Sequence, residues 1–181
     1  TMDIDFSSNT KKNVFSGAAI YIHPFEAYDF YEPRVAERFS VIPRYVYSNI
    51  YFSSNYNRKF AIDIIPELNI TEEKDRIAYG LTLAPRYRFN NKFLVNYNFF
   101  INRFNNDRGW VGYTSDDIIF GQRDRRTIIN TLGMKYSLNP KMTFNVSARY
   151  YWSYADYNQY LTLQNDGSLT TNSNFTEFED S

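Results

Sequence analysis

The chain has 181 residues, with 20 Lys and Arg against 20 Asp and Glu, so its formal net charge is zero. This balance argues against nucleic acid as a partner, because duplex binding needs a clustered basic surface. Zero cysteines and one histidine exclude disulfides, thiolate chemistry and metal clusters built from Cys or His, so we expect no metal and no cofactor.

Short segments of alternating character follow one another along the whole chain, beginning with Met2, Ile4 and Phe6. Apolar residues recur with a period of two, and no stripe of helical spacing appears. The pattern therefore predicts an all-β, antiparallel chain of about eight strands. They lie near residues 2–6, 13–22, 39–53, 60–70, 77–89, 93–101, 131–138 and 142–154.

The clearest of these segments is 142–154, where one parity is apolar and the other carries Thr143, Asn145, Ser147 and Arg149. Its length exceeds the roughly 5–6 residues of a typical soluble strand, and a tilted membrane strand needs about 9–11. A two-faced strand of this length is typical of a transmembrane β-barrel.

The connections between the predicted strands alternate strictly between short and long. Outer-membrane barrels show the same asymmetry, with tight periplasmic turns and long outer loops. We therefore predict an outer-membrane type of transmembrane β-barrel over 1–181, and a soluble barrel or sandwich is the alternative. Tight turns are expected near 9–12, 54–58, 90–92 and 139–141, and outer loops near 23–38, 71–76, 106–124 and 155–181.

Three tight turns allow the strand register to be predicted. Residues that oppose each other across an antiparallel hairpin point to the same face of the sheet. The predicted pairs join apolar residues in each hairpin: Leu138 with Met142, Phe89 with Phe93, and Phe52 with Phe60.

Alternation also predicts which residues lie on each face. The expected lipid-facing residues are Leu81, Leu83, Phe99, Leu132, Met134, Phe144 and Val146. The expected lumen-facing charges are Asp63, Glu67, Arg86, Arg88, Lys135 and Arg149. These charges suit either a constriction that selects solutes or a network of mutually satisfied groups that supports the wall, and we favour the network.

Aromatic and charged residues gather in the predicted outer loops, where sugar stacking and packing of the loop on itself are both compatible with the composition. The candidates are Tyr28, Tyr31, Glu32, Arg34, Trp110 and Arg123. No catalytic signature accompanies them. Asp63 and Glu67 would lie about 13 Å apart along one strand, too far for a glycosidase pair. We therefore assign no catalytic residue.

Four stretches resemble one bacterial family: Tyr28–Arg34 (YDFYEPR), Asn105–Gly112 (NNDRGWVG), Phe120–Thr127 (FGQRDRRT) and Ala148–Ser153 (ARYYWS). That family is the large, uncharacterised outer-membrane β-barrel domain commonly found behind a family-nine carbohydrate-binding-type domain. The resemblance covers about residues 25–170. It implies a Gram-negative outer-membrane location and a link to polysaccharides, and it transfers no catalytic residue. Since barrels of that family are considerably larger, we expect a segment of a larger barrel, with a complete small barrel as the alternative.

These observations together predict a non-catalytic outer-membrane barrel protein, acting as a conduit or as the membrane anchor of a carbohydrate-binding domain. Its expected partners are the lipid bilayer and either a polysaccharide or other subunits of an outer-membrane complex. Two alternatives remain within the membrane class: an accessory barrel subunit, and the barrel part of a carbohydrate-active enzyme whose catalytic part lies elsewhere. A soluble β-sheet binder is the alternative outside that class.

Overall fold

The computed structural model describes residues 1–175, and these form strands, turns and bends without a helix. Within this range, no helical segment is present that could cross a bilayer. The strands are β1 Met2–Asn9, β2 Phe15–His23, β3 Ala27–Asp29, β4 Ser40–Ile42, β5 Tyr45–Ser53, β6 Phe60–Thr71, β7 Ile77–Arg88, β8 Phe93–Tyr113, β9 Ile118–Asn139, β10 Met142–Leu163 and β11 Leu169–Thr171.

Nine strands form one antiparallel sheet in the order β1-β2-β5-β6-β7-β8-β9-β10-β11, and β3 and β4 form a separate hairpin. The prediction of an all-β antiparallel chain is confirmed, and seven of the eight predicted strands are each present as one strand. The predicted strand at 39–53 is divided, because β4 pairs with β3 and only β5 belongs to the large sheet. The short β11 is the ninth strand of the sheet and was not predicted. β1 and β11 end the sheet without pairing with each other, so the described residues do not close a barrel.

The register places apolar residues on one face of the sheet from β6 to β10. Val95, Met134 and Val146 oppose one another across three strands, and the neighbouring row joins Leu94, Lys135 and Asn145 on the other face. The seven residues predicted to face lipid share the first face, which we call the apolar face. The six predicted lumen charges share the second, called the polar face here. The apolar face is open, since Val146 is 57% exposed.

The predicted outer loop at 106–124 is wrong. β8 and β9 continue through most of it, and only residues 114–117 connect them. The ladder is interrupted by two bulges, one beside Asn106, whose φ is +52°, and one beside Val111. Apolar alternation ends near Phe104, but backbone hydrogen bonding does not depend on side-chain polarity, so the strands extend past the apolar region.

Other predicted boundaries also move. The predicted outer loop at 155–181 begins too early, because β10 runs to Leu163 before a turn at 164–168; residues 176–181 lie outside the described range.

Phe52 pairs with Ile64 instead of Phe60, since the turn at 54–59 is longer than a tight hairpin. The Leu138–Met142 pair is displaced as well: Met142 opposes Asn139, and the ladder shifts by one residue beyond it. The predicted pair of Phe89 with Phe93 at the turn after β7 is confirmed, because the Phe89 backbone N–H donates to the Phe93 carbonyl oxygen.

The segment 24–44 between β2 and β5 reaches across the sheet at the end that carries the longer connections, called the loop end here. Arg38 donates from Nη2 to the carbonyl oxygens of Leu163 and Gln164, both at 3.0 Å. Tyr113 at the end of β8 donates its hydroxyl to the Arg34 carbonyl oxygen at 3.0 Å. Four strands separate β5 from β10 in the sheet, so this segment bridges distant strands.

A buried apolar cluster lies beneath this bridge. It consists of Ile118, Phe120, Leu161 and Leu163, with Trp110 and Leu169 packed against it. These residues lie at the loop ends of β8 to β11 and not along the apolar face. The packed core and the open apolar face therefore occupy different heights of the same long strands.

Candidate functional site

A concave pocket of about 310 Å³ opens at the loop end, where the bridging segment meets β8, β9 and β11. Hairpin β3–β4 supplies one wall and the sheet supplies the other. Acidic and basic side chains dominate its lining. The lining residues are Asp29, Glu32, Ser40, Val41, Ile42, Arg76, Asp107, Arg108, Phe120, Arg123, Arg125 and Leu169.

Two carboxylates hold the four arginines of this pocket in pairs. Asp107 Oδ2 accepts hydrogen bonds from Nε of Arg123 at 3.3 Å and from Nε of Arg125 at 3.1 Å. Glu73 accepts from Nη1 of Arg76 at 2.6 Å and from Nη1 of Arg108 at 2.7 Å. Because a shared carboxylate offsets the repulsion between neighbouring guanidinium groups, each trio is a structural unit.

Four of the predicted outer-loop residues come together around Trp110. The Trp110 backbone N–H donates to Glu32 Oε1 at 2.9 Å, and the Arg34 guanidinium lies 4.0 Å from the Trp110 ring centroid. Arg123 and Glu32 both lie close to Gly109. A Cβ atom added to this glycine would be 2.4 Å from Nη2 of Arg123 and 3.2 Å from Oε1 of Glu32. The absence of a side chain at 109 therefore permits this approach.

The other two predicted loop residues lie apart from this group. Tyr31 is 90% exposed, and its backbone N–H donates to Asp29 Oδ1. The Tyr28 ring packs edge-on against Phe39 with centroids 4.9 Å apart. Sequence reasoning placed all six candidates in outer loops, whereas Trp110 and Arg123 lie on strands β8 and β9.

Burial shapes the electrostatics of the pocket. It lowers the pKa of the Arg108 guanidinium from its ordinary value, while the nearby Glu73 carboxylate acts in the opposite direction. The Nε atom of Arg108 and the Nε1 atom of Trp110 are buried without a hydrogen-bond partner among the described residues. Residues 1–175 contain no group of three or more acidic or histidine side chains that could hold a metal ion. The observed contacts favour a loop end packed by its own aromatics and ion pairs.

Glu67 organises the centre of the polar face. Its Oε2 accepts from the Tyr47 hydroxyl at 3.3 Å, and its Oε1 accepts from Asn102 Nδ2 at 3.1 Å. The carboxylate reaches β8 by crossing Gly80 on β7, where an added Cβ would lie 2.5 Å from Oε1. Side chains of β5, β6 and β8 are thus linked through one carboxylate, as in a supporting network.

Asp63 occupies the polar face nearer the tight turns. It opposes Ala84, which places it diagonally from Arg86, as predicted. Its carboxylate accepts hydrogen bonds from the Ser53 and Tyr56 hydroxyls. The Arg86 guanidinium lies 5.0 Å from the centroid of the Tyr56 ring. Asp63 and Arg86 are therefore connected through Tyr56.

The remaining predicted lumen charges have no such carboxylate partner. Arg88 and Lys135 oppose the same residue, Leu94, from the two strands that flank β8. Arg149 lies further along β10, with its guanidinium 6.0 Å from the Tyr151 ring centroid. Among the described residues, none of these three forms an ion pair.

Sequence reasoning missed the residues that hold the loop-end pocket together. These are Glu73, Arg76, Asp107, Arg108 and Arg125. A signal was present, because Arg123 and Arg125 alternate with period two and so share one strand face. This alternation is informative only once the residues at 106–124 are known to form two paired strands.

The Asp63–Tyr56 contact predicts a measurable change in titration. Burial, followed by the hydrogen bond and negative charge of Asp63, raises the pKa of Tyr56 to about 12. In Asp63→Asn, the pKa of Tyr56 should fall toward its ordinary value of 10.0. The titration is followed by the ultraviolet absorbance of phenolate. The contribution of Tyr56 is the difference between each protein and the same protein that also carries Tyr56→Phe.

The sign of the stability change follows from the same shift. The folded state favours the neutral phenol, so this contribution to stability is complete below pH 10 and is lost as the pH rises toward 12. An unchanged Tyr56 titration in Asp63→Asn would contradict the assigned contact.

The family described as "Domain of unknown function (DUF5916)" matches residues 1–181. No curated protein and no solved structure matches the chain. Since the match covers the entire sequence, the chain belongs to the DUF5916 family.

Proposed function

We propose that this chain is part of the wall of an outer-membrane β-barrel in a Gram-negative bacterium, and that it has no catalytic role of its own. In this role it anchors a carbohydrate-binding domain to the membrane or lines a conduit. The observation that carries the proposal is the open apolar face of β6 to β10, set back to back with the polar face.

The height of the apolar face supports a bilayer as its partner. Along β10 it extends from Met142 to Tyr154, and the first charged residue at its loop end is Asp156. A tilted strand crosses the hydrocarbon core with about 9–11 residues, and aromatic residues are enriched where strands leave it. Trp152 and Tyr154 lie at the loop-side limit of this stretch, with rings stacked 6.1 Å apart. The charged, packed ends of β8 to β10 then extend beyond the bilayer.

The edges of the sheet support a larger assembly of strands. Only residues 161–163 of β10 pair with β11, so the outer edge of β10 over residues 142–159 has no partner strand among the described residues. Unpaired backbone groups are costly in hydrocarbon, which is why membrane-spanning sheets close completely. We propose that further strands complete the barrel beside β10 and β1.

The bridging segment 24–44 favours a second candidate role, an accessory barrel subunit docked on another outer-membrane protein. Its hydrogen bonds to Leu163, Gln164 and Tyr113 hold it across the loop end, where it obstructs that end of the polar face. A barrel obstructed in this way serves as an anchor or a docking unit better than as a wide conduit. Solute flux through the reconstituted protein distinguishes the two roles.

Labelling of single cysteines tests the orientation of the faces, and these 181 residues contain no native cysteine that would also react. Val146→Cys should react with a lipid-soluble maleimide and resist a charged thiosulfonate reagent in outer-membrane preparations. The matched control is Ser147→Cys, one residue away on the polar face, which should react with the charged reagent. Equal labelling of both positions by the charged reagent would contradict a bilayer against the apolar face.

Charge substitution at the same two positions gives an energetic test. Val146→Arg should cost about 2–4 kcal/mol of unfolding free energy if residue 146 lies near the bilayer midplane. Ser147→Arg should have a small effect because its side chain remains in the polar compartment. Denaturant unfolding in lipid vesicles measures both, and equal costs would refute the assignment of the two faces.

A further inference from the structure

The tight-turn end of the sheet carries an unusual distribution of charge. All four turns at this end, 10–14, 54–59, 89–92 and 140–141, contain Lys or Arg, and none contains Asp or Glu. Every connection at the loop end contains at least one acid, and the acids outnumber Lys and Arg in each of them. A chain of zero net charge is therefore strongly polarised from one end of its strands to the other.

Four cations of the tight-turn end meet in one pocket on the polar face. This pocket has a volume of about 280 Å³ and contains no carboxylate. Its cationic lining residues are Arg86, Arg88, Lys92 and Lys135, and the amides Asn90 and Asn91 and the hydroxyl of Ser137 add uncharged polar groups.

The strand register forces these charges into proximity. Arg88 and Lys135 flank Leu94 in a single row across β7, β8 and β9. Two strand spacings separate their Cα atoms, about 10 Å, so their long side chains converge over the same surface. Like charges in such a row repel each other unless an anion lies between them.

Elsewhere among the described residues, carboxylates neutralise half-buried arginines directly. At the loop end, Asp107 and Glu73 each neutralise two arginines. None of the four pocket cations is ion-paired within residues 1–175. Asp63, which lies diagonally from Arg86, is already engaged by Ser53 and Tyr56.

We propose that the pocket formed by Arg86, Arg88, Lys92 and Lys135 binds an oxyanion of two or more negative charges, of the phosphate class. Arginine presents a planar fork of donors that matches phosphate oxygens, and lysine adds a mobile point charge. The ligand supplies the negative charge that the protein omits. The source is either a free phosphate compound or a phosphate-bearing lipid headgroup. The inference rests on the pocket alone and does not require the sheet to close.

Titration calorimetry on the full-length protein in a neutral detergent tests the proposal, with inorganic pyrophosphate as one probe and a short-chain phosphatidic acid, whose phosphomonoester headgroup can carry two negative charges, as the other. We expect saturable binding at low ionic strength that weakens as salt is added. Binding of pyrophosphate identifies a free oxyanion as a sufficient ligand, whereas binding of the lipid alone identifies the headgroup as the source. Absence of binding by both probes overturns the proposal.

Matched variants locate the site. The double variant Arg88→Gln with Lys135→Gln should weaken binding by about tenfold or more, since two charge-assisted contacts are lost. Arg149→Gln removes one positive charge from the same face outside the pocket and should change affinity less than twofold. Arg88→Lys keeps the charge and should retain most of the affinity, which separates loss of charge from misfolding. Equal affinities for the parent and the double variant would overturn the assignment of the pocket.

Discussion

The two-residue alternation of a β-strand, kept in register across five strands, is the constraint on which the rest of this molecule depends. Val95, Met134 and Val146 fall in one row because their backbones are paired, and the same pairing puts Leu94, Lys135 and Asn145 in a row on the opposite face. A one-residue slip would exchange the two faces completely. The division into an apolar face and a polar face is therefore a property of the whole sheet.

The same long strands perform different tasks along their length. Near the tight turns, the polar face concentrates cations without carboxylates. In the middle, Glu67 links neighbouring strands through Tyr47 and Asn102. At the loop end, shared carboxylates pair the arginines of the pocket, and hydrogen bonds of Arg38 and Tyr113 hold the bridging segment in place. β8 to β10 have 21 or 22 residues each, about twice the length that a bilayer requires, and this length accommodates all three zones.

Much of this fold could be predicted from the sequence because alternation is a local signal. Seven of the eight predicted segments each form one strand, and the position of Asp63 diagonal to Arg86 followed from the turn between β6 and β7. The extension of β8 and β9 through 106–124 could not be predicted, since two bulges change the parity and Asn, Asp and Gly are typical of loops. The loop-end pocket was missed for the same reason, because Asp107 meets Arg123 and Arg125 only when those extensions pair.

We propose that these strands belong to an outer-membrane barrel with more strands than the nine of this sheet. The most direct measurement is a semi-native gel of the outer-membrane fraction from the source cell, with and without boiling, probed with an antibody against residues 1–181. We expect a heat-modifiable band in that fraction, well above the 21.5 kDa mass of this chain. Recovery of the protein in the soluble fraction, with mobility unaffected by boiling, would contradict it.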